Sequence, residues 1–215
     1  MARYCSDIRE LSNMEALSAK LLHDVSGVVS AIVTHVECVM DDIESDSVRE
    51  VLEDVLEDAV LRFRLIRNAY GTTSDNVTFN DTRDRLEWYL KKKGIAELKW
   101  DVKLGSLDAE NKEIANRVII HAVLFSTMTM VQGQAIEVYA TDEGGNVHIR
   151  LKLLASEVAV HREVEDIFSS SNYREEQLTT HNVQLYFMLL LLERHGAKLK
   201  YTAGSSEIEI TLPIQ

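Results

Sequence analysis

His23, followed by Asp24, is the side chain best placed by its pattern to carry a reacting group. Apolar residues recur at Met14, Leu17, Leu21, Val25, Val28, Ile32, Val36, Val39 and Ile43, always three or four positions apart. That spacing predicts one long helix with one apolar stripe. At about 100° per residue, His23 falls roughly 160° from the centre of the stripe and points to solvent. Its neighbours on that face are Ala16, Ala19, Lys20, Ser26, Gly27, Ser30 and Thr34, all small except Lys20. An imidazole standing on so low a surface is open to another protein, and near pH 7 it is an unprotonated nucleophile. The expected chemistry is a phosphoryl group carried on His23, delivered or removed by a protein docked over Ala19, Lys20, Gly27, Ser30 and Thr34. Asp24 is placed to orient the ring or hold its tautomer, and Lys20, one turn earlier, to steady a phosphoryl oxygen. A glycine in mid-helix costs about 1 kcal/mol against alanine, which suits a close approach at Gly27. The bland alternative is a solvated histidine beside a solvated aspartate; the combination of His-Asp, the small-residue face and the chain that follows speaks against it.

Other constellations fail. His121, His148, His161, His181 and His195 have no ligand spacing with cysteines or carboxylates, so no metal site is expected. No Gly-x-Ser-x-Gly or His-Glu-x-x-His occurs. Met128 and Met130 read as core.

Composition bounds the partners. The 215 residues are 46% hydrophobic and 27% charged, ordinary for a globular protein able to bury a sizeable core without staples. The net charge of −12 argues against nucleic acid and against an anionic membrane, leaving a protein partner. Cys5 and Cys38 form no motif and read as reduced thiols. The first ten residues lack the apolar run of a secretory signal, and no stretch reads as a membrane span, so a cytoplasmic protein is expected.

The elements that must position His23 follow from periodicity. Ser12 or Asn13 is expected to cap the first helix, which runs to about Ile43, and a second follows from Ser47 to Tyr70, closed by Gly71. Its polar face is acidic early and basic late, at Arg62, Arg64 and Arg67, which suits the helix dipole and reads as a solvated face. Two such helices form an antiparallel hairpin with one side unburied, so a homodimeric four-helix bundle is expected. Residues 1–74 are expected to form this domain and 75–215 a second. In the second, Asn80 or Asp81 caps a helix to Lys93; strands are expected at Glu97–Leu104, Ala135–Thr141 and Val147–Leu154, with a helix over Asp108–Met130. A short helix or loop follows at Val160–Phe168, then a helix over Thr180–His195 and a last hairpin of Ala197–Thr202 with Glu207–Pro213. The fold class is α+β, helices over one sheet.

A long hairpin bearing His-Asp, then an α+β domain ending in helix, glycine and hairpin, resembles the sensor histidine kinases: a dimerisation and phosphotransfer domain, then an ATPase-like α/β sandwich. The segments Leu21-Leu22-His23-Asp24 with Gly27 and Ala31-Ile32, and Arg62 to Gly71, more closely resemble the alphaproteobacterial histidine phosphotransferases of the ChpT family. So do Leu98-Lys99-Trp100, Gln132 to Val138, Asn182 to Tyr186 and His195-Gly196. Val28 stands where that family often has proline, so a straighter helix is expected. A working kinase of this kind needs a mid-helix Asn, an Asp-x-Gly-x-Gly and a Gly-rich lid. Here Asn116 is near its helix start, Leu154 to Val158 offers no Asp-x-Gly, and no Gly-x-Gly exists. The resemblance therefore implies a degenerate ATPase-like domain without ATP, and a phosphorelay from the receiver domain of a hybrid histidine kinase, through His23, to response regulators of the cell cycle. Mg²⁺ is expected on the receiver and no cofactor on this chain.

Overall fold

The computed structural model describes residues 2–41, 46–71, 78–170, 178, 179 and 181–214. They fall into two compact units, Met1–Gly71 and Thr72–Gln215. The boundary expected after residue 74 lies outside the described residues.

The first unit holds α1 (Ala2–Asp41) and α2 (Asp46–Tyr70), packed on each other. Helix α1 begins well before the expected caps, Ser12 and Asn13, which lie inside it. Nothing from Ala2 to Ser26 breaks a helix, because that stretch has neither glycine nor proline. The contact between the helices buries Val28 of α1 and Ala59, Leu65 and Ala69 of α2. Gly71 closes α2 as expected, its N–H donating to the Arg67 carbonyl at 2.7 Å.

The second unit is mixed α+β. It contains α3 (Phe79–Lys92), β1 (Glu97–Lys103), α4 (Ala109–Thr129), β2 (Met130–Glu143), β3 (Asn146–Val158), α5 (Arg162–Ser169), α6 (Val183–Arg194), β4 (Lys198–Lys200) and β5 (Glu207–Pro213). Thr78, not Asn80 or Asp81, caps α3. The Thr78 hydroxyl accepts from the Asp81 N–H at 3.1 Å, and the Asp81 carboxylate accepts from the Thr78 N–H at 2.9 Å. Asp81 thus serves as the far half of a capping box. Asp108 caps α4, accepting from the Asn111 N–H at 2.8 Å.

The five strands form one sheet in the order β1-β2-β3-β5-β4, with β1 parallel to β2 and the other pairs antiparallel. A turn at Gly144 and Gly145, at φ 59° and 76°, joins β2 to β3. Both strands run past their expected ends, and an irregularity between Gly133 and Ala135 lets β2 begin at Met130. A Cβ at Gly133 would sit 2.9 Å from Ile95 Cγ1, so a side chain there would force Ile95 to shift. Met128 is exposed, not core as its apolar character suggests.

Alternation decides the two sheet faces. Ile136, Val138, Ile149, Leu151, Ile208 and Ile210 are buried and form the core with the fully buried Ile119, Phe125, Leu185 and Met188 of the helices. The opposite face pairs its own charges: Lys99 Nζ reaches Glu137 at 2.7 Å, Arg150 lies over the Tyr139 ring, and Lys200 reaches Glu209 at 2.8 Å.

Candidate functional site

Helix α1 presents three faces. The first, around Val28, packs on α2 and half-buries Leu17, Leu21, Val25 and Ile32. The second is an exposed apolar row of Leu22, Val29 and Val33, which lie outside the stripe read from the sequence, together with Val36, which belongs to it. Met14 and Val36, assigned to the buried stripe, are exposed. Helix α2 carries a matching exposed row, Leu56, Val60 and Phe63.

The third face carries His23, whose side chain is 83% exposed. Its Nδ1 lies 3.5 Å from Asp24 Oδ1, a long contact that leaves Nε2 turned away from the carboxylate. Asp24 is held in turn: Lys20 Nζ donates to both carboxylate oxygens, at 2.8 and 2.7 Å. Lys20 and Asp24 expose only 23% and 20% of their side chains, so the pair lies against the helix surface beneath the imidazole. An i, i+4 ion pair of this kind fixes the carboxylate at small energetic gain. The expected docking positions Ala19, Gly27, Ser30 and Thr34 are exposed on this helix, while Lys20 is half-buried.

Arg62 was absent from the sequence-derived site. Its guanidinium crosses from α2 and lies against Gly27, within 3.6 Å of where a methyl group there would stand. The one signal was the change of α2's polar face from acid to base, which equally describes a solvated helix.

In the second unit, the middle of α4 is closed by core side chains. Ile120, His121, Phe125 and Ser126 are all buried. His121 Nδ1 and Gln184 Nε2 of α6 are 2.8 Å apart, and the His121 ring lies 4.8 Å from that of Phe187. Asn116 is buried. His161 and His181 stack at 4.4 Å with their rings 12° apart, a face-to-face arrangement that turns neither nitrogen toward a common ligand. Among the described residues, no three His, Cys, Asp or Glu side chains are grouped to hold a metal ion.

The stretch Asn13–Thr34 of α1 is, by length and composition, apolar enough to cross a membrane, contrary to the sequence reading. It is the stretch that carries Lys20, His23 and Asp24, whose charges are costly in hydrocarbon.

The family described as "Histidine phosphotransferase C-terminal domain" matches residues 79–207. Among solved structures, one described as a bacterial phosphotransferase superposes with a TM-score of 0.72 at 17% identity, covering 94% of this chain and 95% of that one. The blue-light activated histidine kinase of Erythrobacter litoralis EL346 gives a TM-score of 0.48 at 10% identity, covering 90% of this chain and 60% of that one. No curated protein matches the sequence.

Proposed function

The chain belongs to the histidine phosphotransferase C-terminal domain family, and from that premise we propose that it is a phosphorelay phosphotransferase with His23 as its phosphoacceptor. The observation that carries the proposal is the exposed imidazole with Nδ1 toward Asp24, which leaves Nε2 as the nucleophile. In the forward step the Nε2 lone pair forms the phosphorus–nitrogen bond while the bond from phosphorus to a receiver aspartate oxygen breaks. The electron pair leaves with that carboxylate. Asp24 faces the Nδ1–H and offsets the positive charge that grows on the ring; Lys20 holds Asp24 in place. The phosphoramidate stays high in energy, so the group passes on to a second receiver. Response regulators and the receiver of a hybrid kinase are the proposed partners, docking over Ala19, Lys20, Gly27, Ser30 and Thr34. A cytoplasmic, cell-cycle relay of the ChpT type follows from the resemblance of the His23 and Arg62–Gly71 segments.

No ATP and no resident metal enter this mechanism; Mg²⁺ comes with the receiver. The filled middle of α4 and the missing Asp-x-Gly-x-Gly support a domain that does not take nucleotide.

A homodimer belongs to the same reading. Helix α1 ends at Asp41 and α2 starts at Asp46, so the packed pair is read as an antiparallel hairpin. At about 100° per residue the two exposed apolar rows then fall on one side of it, away from His23. A second copy covering that side completes a four-helix bundle.

One observation favours a second reading, a kinase-like interaction module without phosphotransfer: the family match, 79–207, does not include His23. Radiolabelled phospho-receiver mixed with wild type and His23→Ala separates the two. Acid-labile, base-stable label on wild type alone supports the phosphotransferase. Binding without label on either supports the module.

A further inference from the structure

Arg62 belongs to α2, yet its head group rests on α1. A methyl group at Gly27 would meet Arg62 Nη2 at 3.6 Å, Nη1 at 3.7 Å and Cζ at 3.9 Å. Gly27 is four residues after His23, one turn along the same face, where side chains stand about 5–6 Å apart. The guanidinium therefore lies within ordinary van der Waals distance of a methyl group placed at position 27, one helical turn from His23. The residue is half-buried, which limits where its head group can go. Among the described residues no carboxylate forms an ion pair with Arg62, and both oxygens of Asp24 are already taken by Lys20.

A phosphoryl group on Nε2 brings nearly two negative charges and three acceptor oxygens. In mid-helix the backbone amides are spent on α1's own hydrogen bonds and offer it nothing. Lys20 is engaged with Asp24. Among the described residues the Arg62 guanidinium forms no ion pair, and its planar fork of donors suits phosphoryl oxygens better than a point charge does. We propose that Arg62 is a further catalytic residue of the His23 site, contacting the phosphoryl oxygens as the bond to the receiver aspartate breaks and the bond to Nε2 forms. This rests on the phosphotransfer reading above.

The test follows labelling of the full-length protein from two donors, a phospho-receiver and phosphoramidate, a small donor that needs no docking. Wild type, Arg62→Gln and Arg62→Lys are compared, with rates normalised to the folded fraction by circular dichroism. Arg62→Gln is expected to slow labelling from both donors about tenfold or more, and Arg62→Lys to recover part of the loss. Labelling of Arg62→Gln from phosphoramidate at the wild-type rate overturns the proposal. A loss confined to the receiver donor also overturns it, because Arg62 then serves docking alone. Wild type that takes label on His23 from neither donor overturns the phosphotransfer reading itself, a result distinguishable from failure of Arg62.

Discussion

His23, Asp24 and Lys20 form a short relay on one helix face. Lys20 fixes Asp24 through both oxygens, and Asp24 faces Nδ1 of His23. The roles differ in kind, so their substitutions should differ in size. His23→Ala removes the acceptor and is expected to abolish labelling. Asp24→Asn keeps the shape but loses the charge that offsets the phosphorylated ring. It is expected to slow transfer about tenfold, less than for a buried catalytic acid because its contact to the ring is long. Lys20→Met should slow it only about two- to threefold, since Asp24 stays charged. Single-turnover labelling of the three variants checks this ordering; a larger defect for Lys20→Met than for Asp24→Asn would contradict it. The exposure of His23 was legible in the sequence, because helical phase alone turns it from the stripe. The ion pair beneath it was not, since Lys20 was equally free to reach outward. Arg62 was illegible for a stronger reason: it comes from another helix, and only packing brings it to Gly27.

Elements in the second unit depend on their caps. Thr78 and Asp81 close a capping box on α3, and the bonds from Thr78 hold the Asp81 carboxyl below its usual value of 3.8. The backbone and side-chain bonds from Asn111 do the same to Asp108 at the start of α4. A carboxylate whose native value is lowered stabilises the fold above its unfolded value, and that contribution fades as pH falls through the native one. The acid limb of the stability curve, from about pH 4 downward, should therefore flatten in Asp81→Asn and Asp108→Asn. Thr78→Ala is expected to cost about 1 kcal/mol in a urea melt at neutral pH. In the core, Phe125 of α4 meets Phe168 at 6.1 Å and Tyr201 at 5.5 Å, both edge-on, so Phe125→Ala is expected to cost about 3–5 kcal/mol. Strand alternation was readable directly. The helix starts were less so, because Thr, Asn and Asp cluster at 78–82 and several can cap; the geometry of one reciprocal pair decides among them.

At the scale of the whole molecule, the exposed rows Leu22, Val29, Val33 and Val36 on α1 and Leu56, Val60 and Phe63 on α2 ask for a cover. If a second copy supplies it, Val29→Glu combined with Phe63→Glu should convert a dimer to a monomer by light scattering, while the isolated fold keeps its helical circular dichroism. Monomeric wild type would remove the four-helix bundle from the reading. The sequence by itself determined the succession of helices and strands, the alternation that splits the sheet into a buried and a charged face, and the outward phase of His23. These depend on residues within a few positions of one another, and local periodicity records them. Tertiary structure alone decided which apolar residues of α1 are buried and that the Arg62 guanidinium lies on Gly27. Each depends on which face of one helix meets another, and a single helix's periodicity leaves that choice open.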